Sequence, residues 1–270
     1  HQGKVLMLSR HGLLPMDHGF IPRPPGTGAY PEYLPSLPAT IHDCMRALGR
    51  EIARRSKTGT DWRDVVNELR PHVPAIWGRL SITERQRFLR HVVPYWDIHR
   101  HRLAPASSFR VKRMLVSGQI EVIAGRPLAI HATGSGLDVV VRPRHGDISR
   151  TLTVSGLINC TGPSGDIATT TQPLFASLRE AGLLRPDALK LGIDTDEDYR
   201  IVDRNGLNVP NVHYVGPMLK ATRWEAIAVP ELRVHSHRLA QLILNGLADT
   251  KEKALAKAPR SRVTETARPA

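Results

Sequence analysis

Near the start of the chain four apolar residues in succession, Val5-Leu6-Met7-Leu8, run into the polar loop Ser9-Arg10-His11-Gly12. A short strand that is apolar at every position predicts burial on both faces of a parallel sheet. Such a strand needs a neighbour on each side, so this run constrains the chain more than any other feature. It predicts an α/β fold in which the Ser-Arg-His cluster sits at the carboxyl end of a strand. In open α/β sheets that is where ligands lie.

Beyond this loop the texture changes. Residues 22–38, PRPPGTGAYPEYLPSLP, hold too many prolines for a helix or an interior strand and predict a stiff surface loop. A helix is expected over about 40–56, with Ile41, Met45, Leu48 and Ile52 as its apolar stripe and Cys44 beside them in the core. A second is expected over 62–70, ending at Pro71, and a capping box at Ser81–Glu84 starts a third. Residues 34–106 thus read as a helical insertion. After Pro105 the pattern turns to strands: IEVIAG, PLAIHATG, LDVVVRP and TLTVSGLINC form a small β meander over about 120–156, with a hairpin at Gly134-Ser-Gly136. A helix near 173–181, a turn at Asn205-Gly206 and the strand NVHYVGP come next. The last helix is expected to end at Asn245 with Gly246 as its cap, followed by a disordered basic tail over 249–270.

Charge narrows the function classes. The formal net charge is +13, and residues 85–113 contribute +7 while 251–270 contribute +4. Two cysteines, Cys44 and Cys160, are too few for a disulfide framework or a cysteine metal site. Cys160 has no Cys-x-x-Cys partner and reads as a small buried residue. No apolar stretch reaches the length of a membrane span, and a cytoplasmic protein is expected. His91, His99 and His101 read as part of a basic surface rather than a metal site. Asp194, Asp196 and Asp198 lack the glycine and the terminal glutamate of a calcium loop, and read as solvated acids.

Two apolar runs, each read as a strand, end alike. LINCTGPSG and VHYVGPM each pass straight into Gly-Pro, at Gly162-Pro163 and Gly216-Pro217. Glycine lets a ligand approach the backbone closely, and proline fixes the exit direction. Either motif alone is ordinary turn chemistry; both together favour a ligand lying across the strand ends.

With these motifs in place the sequence resembles a bacterial FAD/NAD(P)-binding protein family. The family belongs to the two-dinucleotide-binding-domain flavoproteins and is related to flavin-dependent N-hydroxylating monooxygenases. LSRHGLLP, INCTGP and VGPMLKATRWEAIAVPELRVHSHRLA carry the resemblance, which spans most of residues 3–245. It implies parts of two Rossmann-like domains: residues 1–165 from the NAD(P)-binding domain and 166–248 from the FAD-binding domain. It also implies FAD and NADPH as cofactors, with hydride passing from NADPH to FAD and on to oxygen or another acceptor. The Gly-rich turns of that class are absent from this sequence. Gly26-Thr-Gly28 lies among prolines and Gly134-Ser-Gly136 in a hairpin, so the resemblance implies a carboxyl-terminal piece of a longer protein. Such a piece alone is expected to lose FAD and to aggregate through an open strand edge.

The resemblance assigns roles without naming a substrate or a catalytic residue. Ser9, Arg10 and His11 are expected at the adenosine ribose, where an arginine accommodates a 2′-phosphate and favours NADPH over NADH. Thr161, Gly162 and Pro163, at the end of what resembles the class's crossover strand, are expected to bind cofactor, and Gly216 and Pro217 to lie beside the flavin's ribityl and pyrophosphate region. Pro217 stands where many members of the class place an aspartate. Thr222 and Trp224 are expected where the last helix points its amino end at the flavin. The alternative function is a non-catalytic basic module that binds nucleic acid or another polyanion through residues 85–113.

Overall fold

A computed structural model describes residues 3–19, 30–34 and 40–257, with side chains as far as 248. The chain divides into two units, His1–Pro163 and Ser164–Ala270. Residues 22–29, with Gly26-Thr-Gly28, and 35–38 of the proline-rich stretch fall outside the described residues, as does the tail beyond 257.

The first unit is a four-stranded sheet joined to a helical region. Strand β1 (Val5–Ser9) pairs in parallel with β2 (Ile120–Thr133), from Val5 opposite Ile120 to Ser9 opposite Ala124. Strands β3 (Gly136–Pro143) and β4 (Arg150–Val154) extend β2 as an antiparallel meander, in the order β1-β2-β3-β4. Among the described residues, parallel pairing of strands in this sheet is therefore confined to one pair. The expected double-sided burial of β1 is not found: Leu6 and Leu8 join the core of Ile123, Val139 and Val141, while Val5 and Met7 face outward. Among the described residues the strand has one neighbour and sits at the sheet edge, so only alternate residues are covered. IEVIAG and PLAIHATG form one strand, bent by an extra residue at Leu128. Gly134 and Ser135 make the two-residue hairpin between Thr133 and Gly136.

Five helices, α1 (Ile41–Ser56), α2 (Trp62–Leu69), α3 (Val73–Arg79), α4 (Ile82–Arg87) and α5 (Val93–Arg100), precede α6 (Pro105–Val116) and β2. Thr40 caps α1 by accepting from the Asp43 N–H at 3.1 Å. The stripe is shifted from expectation: Met45 is exposed and Ala47 joins Ile41 and Leu48 in the core, where Cys44 also lies as expected. Helix α2 ends just before Pro71, as expected, but the helical path goes on, because Pro71 sits in the first turn of a 3-10 helix (Arg70–His72), where its missing N–H costs nothing. Only half of the capping box forms. The Ser81 hydroxyl accepts from the Glu84 N–H, but the buried Glu84 carboxylate accepts instead from the Ile41 N–H at 2.9 Å, and so caps α1. Leu34, Leu48, Val65 and Leu69 centre this core.

The second unit holds α7 (Pro173–Glu180), the hairpin of β5 (Arg200–Val202) and β6 (Asn208–His213), and α8 (Val229–Lys257). The Asp203 carboxylate accepts from the N–H groups of Asn205 and Leu207, and Gly206 turns the hairpin at φ +86°. Ile167, Leu184, Ile193 and Ile201 form one core and Tyr199, Leu219 and Ala226 another. Helix α8 passes through Gly246 rather than ending on it, and continues to Lys257. The expected cap and the start of the tail at 249 are corrected accordingly. A glycine inside a helix costs about 1 kcal/mol relative to alanine. Among the described residues no helix is long and apolar enough to cross a membrane.

Candidate functional site: a basic cleft at the end of β1

The sheet brings the polar loop after β1 beside the far end of the meander. Gly12 turns this loop at φ +64° and packs against Ala124 of β2. Its N–H is held by the Ser9 hydroxyl at 3.0 Å. A side chain at Gly125 would collide with the backbone of Arg142, so glycine there lets β3 close on β2. Around this point a cleft of about 470 Å³ opens, lined by Arg10, His11, Leu89, Arg90, Gly125, Arg126, Arg142, Pro143, Arg144 and His145. That volume lies within the range of small-molecule sites.

The lining carries five arginines and no carboxylate. Among the described residues none of the five arginines is in an ion pair. Arg144 donates to the Arg10 carbonyl at 3.3 Å, which ties the β1 loop to the end of β3. Arg126 and Arg142 stand directly opposite each other across β2 and β3. Like charges in that position repel, and ordinary sheets avoid them. Burial, followed by Arg144, Arg10 and Arg126, lowers the His11 pKa from its ordinary 6.5, so the imidazole is neutral at pH 7. The cleft is thus a concentration of fixed positive charge with room for an anion.

Of the sequence-derived residues, Arg10 and His11 line this cleft, and Ser9 stands behind them as the anchor of the turn. Arg126, Arg142, Arg144 and His145 were not singled out from the sequence. Their signal was the pair of Arg-Pro dipeptides, Arg126-Pro127 within β2 and Arg142-Pro143 at the end of β3, which face each other across the pair. They lie outside the two basic runs in which the net charge is concentrated.

Thr161, Gly162 and Pro163 also lie in the first unit, but not at the end of a strand. Strand β4 stops at Val154, and residues 156–160 pair with no strand among the described residues, leaving Ile158 89% exposed. The crossover strand read from LINC is therefore corrected: an apolar run forms a strand only where a neighbour supplies its backbone hydrogen bonds. Asn159 accepts from both the Thr161 N–H and its hydroxyl, an Asx turn. Gly162 has φ +77° and open space around it. Cys160 is exposed rather than buried, whereas burial pushes the Cys44 thiol up to about 11.

In the second unit Gly216, Pro217, Thr222 and Trp224 are arranged differently. Strand β6 ends at His213, and Pro217 begins a 3-10 helix (Pro217–Ala221). A side chain at Gly216 would collide with the Tyr214 hydroxyl, so the space beside this glycine is filled by the protein itself. Trp224 is 3% exposed, with the Lys220 ammonium 4.2 Å from its ring centre. Thr222 and Thr195 share a contact with Arg223, whose guanidinium also donates to the carbonyls of Asp196 and Glu197. The nearby acids are not simply solvated as expected: Asp194 pairs with Arg185 and Asp196 with Arg200, each at 2.7 Å.

The basic segment 85–113 is helical, and much of its charge is engaged. Arg85 donates to the carbonyls of Trp77 and Gly78, Arg87 pairs with Glu84, Arg102 donates to Asn67 and Lys112 pairs with Asp17. The His99 ring contacts the Tyr95 carbonyl and packs on Trp62, while His101 lies 4.0 Å from Asp97. Among the described residues no group of three or more His, Cys, Asp or Glu could hold a metal. Comparison with known protein families, with curated proteins and with solved structures finds no match to this chain.

Proposed function

We propose that the chain serves an FAD- and NADPH-dependent oxidoreductase, and that its first unit binds the phosphorylated adenosine end of NADPH. The observation that supports this reading is the acid-free arginine cleft at the carboxyl end of the parallel strand β1. Donors there suit phosphate: guanidinium groups make paired, charge-assisted hydrogen bonds to its oxygens. Arg10 is the residue for the 2′-phosphate, with the Ser9 hydroxyl free to donate its own proton and His11 beside it. NADPH when bound supplies a hydride, and a flavin is the acceptor that the family resemblance implies, with oxygen or another acceptor beyond it. This chain's part is to bind and orient the dinucleotide.

Residues for FAD fit less well. Thr161, Gly162 and Pro163 are exposed and leave room for a ligand. Gly216 and Trp224 do not fit a flavin contact, because Tyr214 fills the space beside one and the other is buried. The polyanion reading through 85–113 has a narrower basis, since of that segment only Leu89 and Arg90 reach the cleft.

The test is a pair of titrations of the full chain, with NADPH and with NADH, before and after Arg10→Ala. The reading expects NADPH to bind more tightly and the substitution to weaken NADPH by about 1.5–3 kcal/mol, the worth of a hydrogen bond to a charged group. NADH affinity should hardly move. Equal losses for the two dinucleotides would refute it.

A further inference from the structure

The 2′-phosphate needs one arginine, and the cleft has five. Two of them, Arg126 and Arg142, are cross-strand partners in a register fixed by the hairpin at Gly134-Ser135. The sheet cannot relieve their repulsion by sliding, because a one-residue slip would turn Val139 and Val141 out of the core. A bulge follows directly, with the register shifting between Pro127 and Ala129, and bulges re-aim the side chains beside them. Arg144 adds a third guanidinium, while its bond to the Arg10 carbonyl keeps the two loops together. Local rules broken in this way mark functional positions when something else restores the balance. Here the missing partner is an anion.

We propose that Arg126, Arg142 and Arg144 form an anion subsite of their own, and that the cleft takes a ligand bearing several phosphate groups. Arg10 and Arg90, brought in from the β1 loop and the helical region, hold a second phosphate of the same molecule. The inference extends the NADPH reading but does not depend on it. A nucleotide with phosphates at two places and a linear oligophosphate share the chemistry, and binding by one or the other distinguishes the source.

Titration of the full chain at low ionic strength with tripolyphosphate, with sulfate and with NADPH tests this. Tripolyphosphate should bind at one site at least about tenfold more tightly than sulfate, as a second charge-assisted contact predicts. The double variant Arg126→Gln/Arg142→Gln should lose most of that preference. It should also melt higher than the parent without ligand, because a repulsion has been removed. A charge-matched control, Arg46→Gln/Arg50→Gln on helix α1, should leave both properties nearly unchanged. Equal weakening by the control would reduce the effect to net charge and overturn the proposal, as would a double variant that binds like the parent or melts lower. If tripolyphosphate binds as expected and NADPH does not, the subsite stands and the oxidoreductase reading falls.

Discussion

The two Gly-Pro turns, alike in sequence, are opposites in structure. At Gly162 the backbone adopts φ +77°, nothing fills the space where a side chain would project, and the neighbouring Cys160 is exposed. At Gly216 the backbone is extended, the Tyr214 ring occupies that space, and Trp224 and Leu219 are buried close by in the chain. The dipeptide sets where the chain bends; what it faces depends on which side chains the fold delivers. One glycine has open space beside it and the other is closed in by internal packing.

That contrast can be broken most forcefully at Trp224. If it is a packing anchor, Trp224→Ala should lower stability by about 3–5 kcal/mol, the usual cost of emptying a buried aromatic site. Chemical unfolding followed by circular dichroism would measure it. A small loss accompanied by a change in flavin binding would move Trp224 back to a ligand role.

The glycines themselves give a smaller effect. Gly216→Ala should cost about 1–3 kcal/mol through overpacking against Tyr214, and Tyr214→Phe in the same chain should recover part of it. Gly162→Ala meets no neighbour and should cost only the left-handed backbone penalty, about 1–2 kcal/mol. Recovery of Gly162→Ala by Tyr214→Phe, or none for Gly216→Ala, would dissolve the distinction.

The finest comparison is between two part-buried histidines, His11 in the arginine cleft and His235 against the buried Tyr199. His11 is lowered by burial and then by Arg144, Arg10 and Arg126; His235 is lowered by burial and then by Arg223 and Arg238. His235 also shares a 3.0 Å hydrogen bond with Tyr199, which is fully buried. Both therefore hold fewer protons in the folded chain than in the unfolded one just below pH 6.5. Their effect on stability is absent above the ordinary value, and stability falls as the pH drops through that value toward the lowered pKa. Sulfate, which does not titrate in this range, should raise the His11 pKa by screening the arginines and leave His235 where it is. Proton NMR titration with and without sulfate reads both, and parallel shifts would mean that neither site is selectively open.

Much of the fold was legible because local signals and packing agreed. Thr40 caps α1, Gly134-Ser135 turns a hairpin and Asp203 holds the Asn205-Gly206 turn, each through bonds made within a few residues. Parallel pairing of β1 held, with a partner more than a hundred residues away, but two other expectations that needed a distant neighbour failed. LINC was apolar enough for a strand but has no strand beside it among the described residues, and Glu84 left its own cap for the Ile41 N–H. Arg10 and His11 could be singled out from the loop they share. Their companions Arg126, Arg142 and Arg144 lie more than a hundred residues away, and only the strand pairing brings their Arg-Pro dipeptides to the same cleft.

By itself, then, the sequence determined the helices with good caps, the tight hairpins and the polar loop after β1, because their energies lie in contacts between near neighbours. Only the tertiary structure decided that β1, among the described residues, is an edge strand covered on one face, that one Gly-Pro is open and the other filled, and that five scattered arginines share one cleft. Those outcomes depend on which strands pair and in what register. A one-residue slip would send every alternate side chain to the other face, and no local pattern records it.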